Sequence, residues 1–239
     1  MGLNHIQCPF FKEARVIPMT IKSFWVDPYA TSHTTQVKNV VGNDIELNST
    51  IFFAFSGGQE SDEGSIGGYP VIAAKKTALN ITYTLPEGHQ LEVGQSVDVL
   101  INGERRQRLM RLHFAAELVL ELFYKTYGDI TKIGAHISQD KSRIDFFWPE
   151  SITHILPDLA TKANEIILED HQIQTGFDDE PNERRYWKIE GFSKVPCGGT
   201  HVRSTAEIGA IRLKRVNIGK GKERVEIYLN DAEDKVTTL

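Results

Sequence analysis

Short runs of apolar and β-branched residues, separated by turn residues, occupy the first hundred positions of the chain. The runs fall at residues 16–26, 50–55, 69–73, 79–85 and 96–101. Turn-forming pairs or triplets lie between them or after the last, at residues 57–58, 67–68, 86–88 and 102–103. Several short strands at close spacing predict a small β-barrel or β-sandwich.

The pattern changes after residue 103. Apolar residues recur at helical spacing over residues 105–127, and Gly128 is suited to end that helix. A second helix is predicted at residues 152–170. The remaining segments predict a hairpin at 132–137 and 143–148, strands at 172–175 and 185–189, a solvated acidic connection at 178–183, and a closing hairpin at 208–216 and 224–229.

These patterns predict an α+β protein with two domains. Residues 1–103 would form a small β-barrel-like domain with a glycine-rich motif. Residues 104–239 would form a domain of helices on an antiparallel sheet. Asn102-Gly103 is the expected junction.

Composition narrows the classes of function. The 239 residues carry a net charge of −5, so the molecule as a whole is not a basic nucleic-acid binder, and DNA is not expected as a partner. Its two cysteines, Cys8 and Cys197, exclude a disulfide framework. No apolar run is long enough to span a membrane, and residues 1–16 do not resemble a signal peptide. A cytoplasmic location is therefore expected.

Two motifs each place metal-binding side chains four positions apart. His113 and Glu117 lie one turn apart on the first predicted helix, and Cys197 and His201 flank a Gly-Gly-Thr segment. Each motif alone also fits an ordinary helical pair or a simple turn. Together they provide two imidazoles, a thiolate and a carboxylate, which suits Zn²⁺ and predicts a metal-dependent hydrolase.

Two versions of this site remain open. In one, His113, Glu117, Cys197 and His201 all bind the metal. In the other, the two histidines and Cys197 bind it, a water takes the fourth position, and Glu117 is a neighbouring group or general base. His113 and His201 are catalytic candidates in both versions. The sequence does not decide between them.

Other polar residues are candidates for contacts with a polynucleotide. The glycine-rich segment offers Gly57, Gly58 and Gln59, which would touch either a polynucleotide end or the neighbouring domain. Two clusters of basic residues are candidate phosphate-binding sites; the alternative is that they pair with nearby glutamates. The first consists of Arg105, Arg106, Arg108 and Arg111, and the second of Arg212, Lys214, Arg215, Lys220, Lys222 and Arg224. His136 lies on a predicted strand, where it would line the pocket or be structural.

Four motifs occur in a recognisable order. They are Ser56-Gly-Gly-Gln-Glu-Ser-Asp62, Arg111-Leu-His-Phe-Ala-Ala-Glu117, Gly134-Ala-His-Ile137 with Ser142-Arg-Ile-Asp-Phe146, and Val195-Pro-Cys-Gly-Gly-Thr-His-Val-Arg203. The set resembles the AlaX family of free-standing alanyl-tRNA editing proteins. The resemblance spans about residues 50–229, and the Pro-Cys-Gly-Gly-Thr-His run is its most specific part.

The resemblance implies hydrolysis of mischarged tRNA(Ala), seryl- or glycyl-tRNA(Ala), at a zinc site. The ligands it implies fall on His113, Glu117, Cys197 and His201. Glu117 departs from the family, which has a second histidine there, and Phe114 puts a bulky ring near the pocket. Two other hypotheses are a tRNA-binding protein with a degraded, non-catalytic metal site, and a metal-dependent hydrolase of another aminoacyl ester.

Overall fold

A computed structural model describes residues 19–128 and 130–231. The predicted α+β class is confirmed: two α-helices accompany sixteen strands among these residues. Within the described ranges, no helix has both the length and the apolar character that a membrane span requires. Cys8, the first three residues of the strand predicted at 16–26, and the segment compared with a signal peptide all lie outside the described residues.

The N-terminal half consists almost entirely of strands. They are β1 (Ile21–Lys22), β2 (Ser32–Val41), β3 (Asp44–Leu47), β4 (Ser49–Thr50), β5 (Gly64–Ile66), β6 (Tyr69–Pro70), β7 (Ala73–Thr77), β8 (Asn80–Thr84) and β9 (Ser96–Ile101). Seven of them form one antiparallel sheet in the order β6-β5-β9-β2-β3-β8-β7, and β1 pairs with β4 in parallel.

The long strand β2 curls this sheet. Its first half pairs with β9 from Ser32 to Gln36, and its second half pairs with β3 from Val37 onward. The register shifts between Val37 and Asn39, and such a bulge bends a strand and increases its twist. The curled sheet encloses a hydrophobic core drawn from residues 24–101.

The C-terminal half adds the helices and two further sheets. Its elements are α1 (Gly103–Tyr127), β10 (Lys132–Ile137), β11 (Ser142–Phe147), α2 (Leu156–Leu168), β12 (Gln174–Asp179), β13 (Arg184–Ile189), β14 (Ser193–Pro196), β15 (Ile211–Asn217) and β16 (Lys222–Leu229). A four-stranded antiparallel sheet has the order β10-β11-β16-β15. A three-stranded antiparallel sheet has the order β12-β13-β14.

Helix α1 is the central element of the C-terminal half. The side chain of Asn102 accepts a hydrogen bond from the backbone N–H of Arg105 and caps the start of the helix. Gly128, with a φ of 77°, ends it as predicted. The helix is buried on most sides because both α2 and the four-stranded sheet pack against it. Its core is drawn from residues 109–229 and is separate from the N-terminal core. The boundary at 103/104 stays a prediction.

Several predicted elements differ from the structure. Strand β2 was not predicted, because Ser32–Val41 is mostly polar and only two of its ten residues are buried. Strand β3, which has only four residues, was not predicted either. Residues 51–54 are buried but unpaired rather than strand, since the N–H of Phe53 donates to the Asp62 carboxylate and not to a neighbouring strand. The second helix is shorter than predicted, and only Ile21–Lys22 of residues 19–26 is strand.

The acidic connection predicted at 178–183 is not simply a solvated loop. Its first two residues belong to β12. The carboxylate of Glu183 is 5% exposed and forms ion pairs with Lys22 and Lys76 of the N-terminal half. A buried carboxylate needs such partners, so this segment connects the two halves.

Candidate functional site

Helix α1 brings His113 and Glu117 to one point on its surface. The two residues are one turn apart, and Nε2 of His113 lies 3.5 Å from Oε1 of Glu117. His113 is only 4% exposed, in the middle of a helix that is otherwise packed with apolar side chains. A buried imidazole at such a position requires polar partners.

The Cys197–His201 loop approaches the helix from the end of β14. The backbone N–H of Cys197 donates to the carbonyl of Arg185 on the adjacent strand, and the indole N–H of Trp25 donates to the carbonyl of Gly198. A Cβ on Gly199 would lie 2.0 Å from Cε1 of His113. Glycine at this position is therefore required for the loop to close against the helix.

Three of the predicted metal ligands come together where the Cys197–His201 loop packs against helix α1. Sγ of Cys197 lies 3.5 Å from Nε2 of His113 and 3.2 Å from Nε2 of His201. All three ligand atoms lie within 4.8 Å of one another. Tetrahedral zinc bonds of about 2.0–2.3 Å place ligand atoms roughly 3.3–3.7 Å apart, so this donor set fits a zinc ion.

Glu117 lies beside these three ligands but is not a member of their mutual group. Its Oε1 is 3.8 Å from Sγ of Cys197. Its other oxygen accepts a hydrogen bond from the indole N–H of Trp187, at 3.2 Å. Trp187 is fully buried and holds the carboxylate at the edge of the site.

Gln59 fixes the orientation of His113. Its Oε1 lies 2.8 Å from Nδ1 of His113 and also accepts the backbone N–H of Thr200, at 3.1 Å. Its Nε2 donates to Oγ1 of Thr200, at 2.8 Å. An acceptor at Nδ1 keeps one ring proton there, so Nε2 is the nitrogen that a metal would bind.

Groups of opposite charge lie close together in the site and shift one another's pKa values. Burial lowers the pKa of His113, but the negative Cys197 and Glu117 outweigh burial and raise it to about 10. Burial raises the pKa of Glu117, yet its contacts with His113 and the nearby His201 bring it down to about 2. Burial also raises the pKa of Cys197, whereas His201 and His113 lower it to about 6. Anionic Cys197 and Glu117 are thus stabilised by positive charge.

The ring of Phe114 lies beside the candidate site. Its ring is fully buried and packs edge-on against Trp187, at 5.0 Å, and against His201, at 5.5 Å. The ring therefore supports one wall of the site from inside the core.

The glycine-rich segment packs on the C-terminal half. The backbone N–H of Ile137 donates to the carbonyl of Gly58, and the N–H of Glu60 donates to the carbonyl of Ile137. A Cβ on Gly58 would lie 2.6 Å from the carbonyl oxygen of Ala135. Gln59 is fully buried, so of its two predicted contacts the structure places the one with the neighbouring half. Gly57 is exposed at the turn.

The first basic cluster does not form a single surface. Arg106 is 1% exposed and pairs with Asp62, whereas Arg105 pairs with Glu60. Arg111 donates to both carboxylate oxygens of Asp231, at 2.6 and 3.0 Å. These guanidinium groups are engaged within the protein. Arg106 in particular is unavailable to a phosphate.

The second cluster is more open. Arg215 and Arg224 pair with Glu223 and Asp145. The other four members are exposed on β15, on β16 and in the turn between them, and they are Arg212, Lys214, Lys220 and Lys222.

His136 is not part of the ligand group, and three residues that belong to the site were not predicted. His136 lies on β10 with its Nε2 3.1 Å from the Glu60 carboxylate, outside the ligand group. The sequence motifs did not reveal Trp187, Thr200 or Arg185 as parts of the site. Alternation along β13 is the signal that could have found two of them, because Arg185 and Trp187 are both buried on the same face of that strand.

A family model matches the part of the chain that carries the Cys197–His201 loop. Residues 185–226 match the family model described as the threonyl and alanyl tRNA synthetase second additional domain. This segment contains all of β13 except its first residue, together with β14 and the Cys197–His201 loop.

Curated relatives extend the likeness over most of the chain. The alanyl-tRNA editing protein AlaX-M of Pyrococcus horikoshii is 32% identical over 218 residues, which cover 90% of this chain and all of that protein. AlaX-M of Methanosarcina mazei is 31% identical over 89% of this chain and 98% of its own length. The alanine–tRNA ligase of Methanopyrus kandleri is 31% identical over 79% of this chain, which corresponds to 23% of the ligase.

Proposed function

Because the chain belongs to the AlaX family of alanyl-tRNA editing proteins, we propose that it hydrolyses the aminoacyl ester of mischarged tRNA(Ala) at a zinc site. The substrates are seryl- or glycyl-tRNA(Ala), and the reaction takes place in the cytoplasm. The observation that carries the proposal is the convergence of His113, Cys197 and His201 within 4.8 Å, beside a carboxylate.

In this proposal His113, Cys197 and His201 hold the metal. Zn²⁺, when bound, supplies a Lewis acid that polarises an ester carbonyl and acidifies water. An aminoacyl ester is already activated, so positioning supplies much of the remaining catalysis. Gln59 holds His113 in the ligating tautomer, and Gly199 lets the loop approach the helix.

Glu117 acts on the attacking water. Its Oε1 lies beside His113 and Cys197 but outside the group of three ligands, a position from which it can accept a hydrogen bond and then a proton from the water. Trp187 holds the opposite oxygen and fixes the direction in which the carboxylate points. This assignment is the version of the site with one open metal position.

Selectivity would follow from polar recognition. A site that bonds the serine hydroxyl leaves its own polar group unpaired when alanine occupies it, and such sites discriminate strongly. Hydrolysis of glycyl- but not alanyl-tRNA(Ala) requires the site to exclude the methyl group of alanine. The exclusion of a single methyl group provides only a small free-energy difference.

The tRNA would lie along the exposed basic residues and the glycine-rich turn. Arg212, Lys214, Lys220 and Lys222 are exposed on one hairpin and can contact phosphates. Gly57 and Gly58 offer backbone near the site. Arg111, also a candidate from the sequence, would have to exchange its ion pair with Asp231 for a phosphate.

Single-turnover deacylation of seryl-, glycyl- and alanyl-tRNA(Ala), with zinc measured on the same sample, tests the proposal. We expect about one zinc per chain and selective loss of the serine or glycine ester. His201→Ala should abolish both zinc binding and deacylation, whereas His154→Ala, an exposed histidine, should change neither. Full activity of His201→Ala would refute the zinc mechanism. A metal-free, inactive protein that still binds tRNA would favour the non-catalytic hypothesis.

A further inference from the structure

Arg185 is a buried cation without a carboxylate partner among the described residues. It is 6% exposed, and its Nε atom has no hydrogen-bond acceptor there. Its guanidinium lies 5.1 Å from the ring of Trp25 and 5.4 Å from the ring of Phe177. Within residues 19–128 and 130–231, its side chain makes one hydrogen bond, of 3.5 Å from Nη2 to the Trp25 carbonyl. The Cys197 thiolate acts on this charge through space, but a buried guanidinium whose Nε N–H lacks an acceptor among the described residues is still costly, which points to an anionic ligand.

A second unpartnered donor lines the same cavity. Nδ1 of His201 is buried and has no hydrogen-bond partner among the described residues. When Nε2 of His201 binds a metal, Nδ1 carries the proton, and metal-binding histidines almost always donate that proton to an acceptor. His201 and Arg185 therefore present two N–H groups that call for an acceptor.

The cavity suits a small oxyanion. It has a volume of about 110 Å³ and is bordered by Trp25, Thr175, Arg185, Thr200, His201 and Arg203 among others. The cavity has room for a group of several heavy atoms. None of the described residues that border it carries a carboxylate, whereas two carry guanidinium groups. Arginine donates well-oriented hydrogen bonds to phosphate oxygens.

We propose that this cavity is an oxyanion site, and that it takes a backbone phosphate from the 3′ end of an RNA substrate. The choice of RNA rests on the proposed function. It is also supported by an aromatic ring beside the site, since Phe177 packs against Trp25 and is 37% exposed, and a base can stack on an exposed ring. Arg203, exposed at the rim, carries a second guanidinium, which would have to exchange its ion pair with Asp27 for a phosphate.

The site would also connect RNA binding to the metal. An oxyanion that accepts the Nδ1 proton of His201 fixes the ring whose Nε2 faces Cys197. Occupancy by the acceptor end would thus orient one metal ligand at the moment the ester arrives.

Titration of the zinc-loaded full-length protein with inorganic phosphate, followed by ³¹P NMR line broadening, tests the site. The matched variants are Arg185→Met and Arg184→Met, because Arg184 is the exposed neighbour on the same strand. We expect saturable binding by the wild type and Arg184→Met, and binding at least tenfold weaker in Arg185→Met. Arg185→Lys, which keeps the positive charge, should retain part of the phosphate affinity. No binding by the wild type, or equal binding by Arg185→Met, would overturn the proposal.

Competition separates the two sources of phosphate. The trinucleotide CCA should displace inorganic phosphate, whereas adenosine, which has no phosphate, should not. If CCA fails to displace it, the RNA assignment is wrong. Zinc content and thermal unfolding of each variant show whether the fold and the metal site are intact. If Arg185→Met does not fold, the wild-type titration and the CCA competition still decide.

Failure of this inference is distinguishable from failure of the proposed function. A protein that binds phosphate and CCA but deacylates no tRNA contradicts the proposed function alone. A protein that deacylates seryl- or glycyl-tRNA(Ala), with a KM that Arg185→Met leaves unchanged, contradicts the oxyanion site alone. We expect the KM for aminoacyl-tRNA to rise at least tenfold in Arg185→Met.

Discussion

The amide oxygen of Gln59 lies 2.8 Å from Nδ1 of His113, so a side chain from the N-terminal half sets the orientation of a predicted metal ligand in the C-terminal half. The same amide also bonds the backbone and the hydroxyl of Thr200 in the Cys197–His201 loop. One buried side chain thus holds both ligand-bearing elements at a fixed separation. The candidate site is therefore built from both halves of the sequence.

We expect Gln59→Ala to weaken zinc binding by about 10- to 100-fold, the range typical when a hydrogen-bond partner of a metal ligand is lost. The substitution removes the acceptor of the His113 Nδ1 proton and leaves the N–H of Thr200 without its partner. Competition with a chromophoric chelator measures the zinc affinity. Gln90→Ala is the control, because Gln90 is exposed and remote in sequence from the site motifs. Equal zinc affinities of the two variants would contradict the role of Gln59.

A buried ion pair joins the glycine-rich segment to helix α1. Nε of Arg106 donates to the carboxylate of Asp62 at 2.9 Å, and its other nitrogens donate to the carbonyls of Pro28 and Ile51. Arg106→Met leaves the Asp62 carboxylate buried without its cation. We expect the free energy of unfolding to fall by about 3–5 kcal/mol.

Urea denaturation measures this loss. Lys162→Met, which removes an exposed charge from α2, should change the free energy of unfolding by less than about 0.5 kcal/mol. The double variant Arg106→Met/Asp62→Leu should lose less than the sum of the two single variants, since neither charge is then left alone. An Arg106→Met variant as stable as Lys162→Met would show that the pair contributes nothing.

Much of the C-terminal half was predictable from the sequence because its signals are local. Periodic apolar residues predicted α1 to within two residues at its start and at the observed residue at its end. The proximity of His113, Cys197 and His201 was predictable, since residues four apart share a helix face and glycines permit a sharp turn. Their role as metal ligands stays a prediction. Burial of His113 follows from the same helix, whose surroundings are apolar.

Other features depend on contacts that no local pattern encodes. Arg105, Arg106 and Arg108 are close in sequence, but successive helical residues point about 100° apart, so Arg106 is buried while its neighbours face other partners. Strand β2 is polar because one side of it faces solvent, so it lacks the apolar run by which the other strands were predicted. The partnership of Gln59 with His113 spans 54 positions and appears only when the halves pack.

The stability of the four-stranded sheet should depend on pH through Asp145. Burial raises the pKa of the Asp145 carboxyl, but its bonds with Arg224 and the charge of Arg143 outweigh burial and hold the pKa below its ordinary value. A lowered folded-state pKa contributes stability that is present above the unfolded pKa of about 3.9 and is lost as the pH falls through the folded value. We expect Asp145→Asn to cost about 1–3 kcal/mol at pH 7.

The measurement is thermal unfolding of wild type and variant between pH 7 and pH 2.5. The difference in thermal stability between the wild type and Asp145→Asn should be constant down to about pH 4. It should narrow below that pH, because the Asp145 carboxylate of the wild type becomes protonated there. Asp140→Asn, an exposed aspartate in the β10–β11 turn, is the control and should show no such difference at pH 7. A difference in thermal stability that widens as the pH falls would contradict the lowered pKa argued for Asp145.

Glu117 decides between the two versions of the metal site. If it orients the water, Glu117→Gln should leave zinc affinity within about threefold of the wild type and slow deacylation by about 10²- to 10⁴-fold. If it binds the metal, Glu117→Gln should weaken zinc binding by at least tenfold, as loss of any ligand does. The geometry favours the first outcome, because Glu117 lies outside the mutual group of His113, Cys197 and His201.

Glu117→His provides an independent check of the same pocket. Histidine is a good zinc ligand at this spacing from His113, so we expect the variant to keep or raise the zinc affinity. A sharp loss of zinc would instead mean that the pocket is shaped for a carboxylate, held by the indole of Trp187. Glu121→Gln is the matched control for both variants. It lies one turn further along the same helix and bonds Ser193, so it should alter neither the zinc affinity nor the deacylation rate.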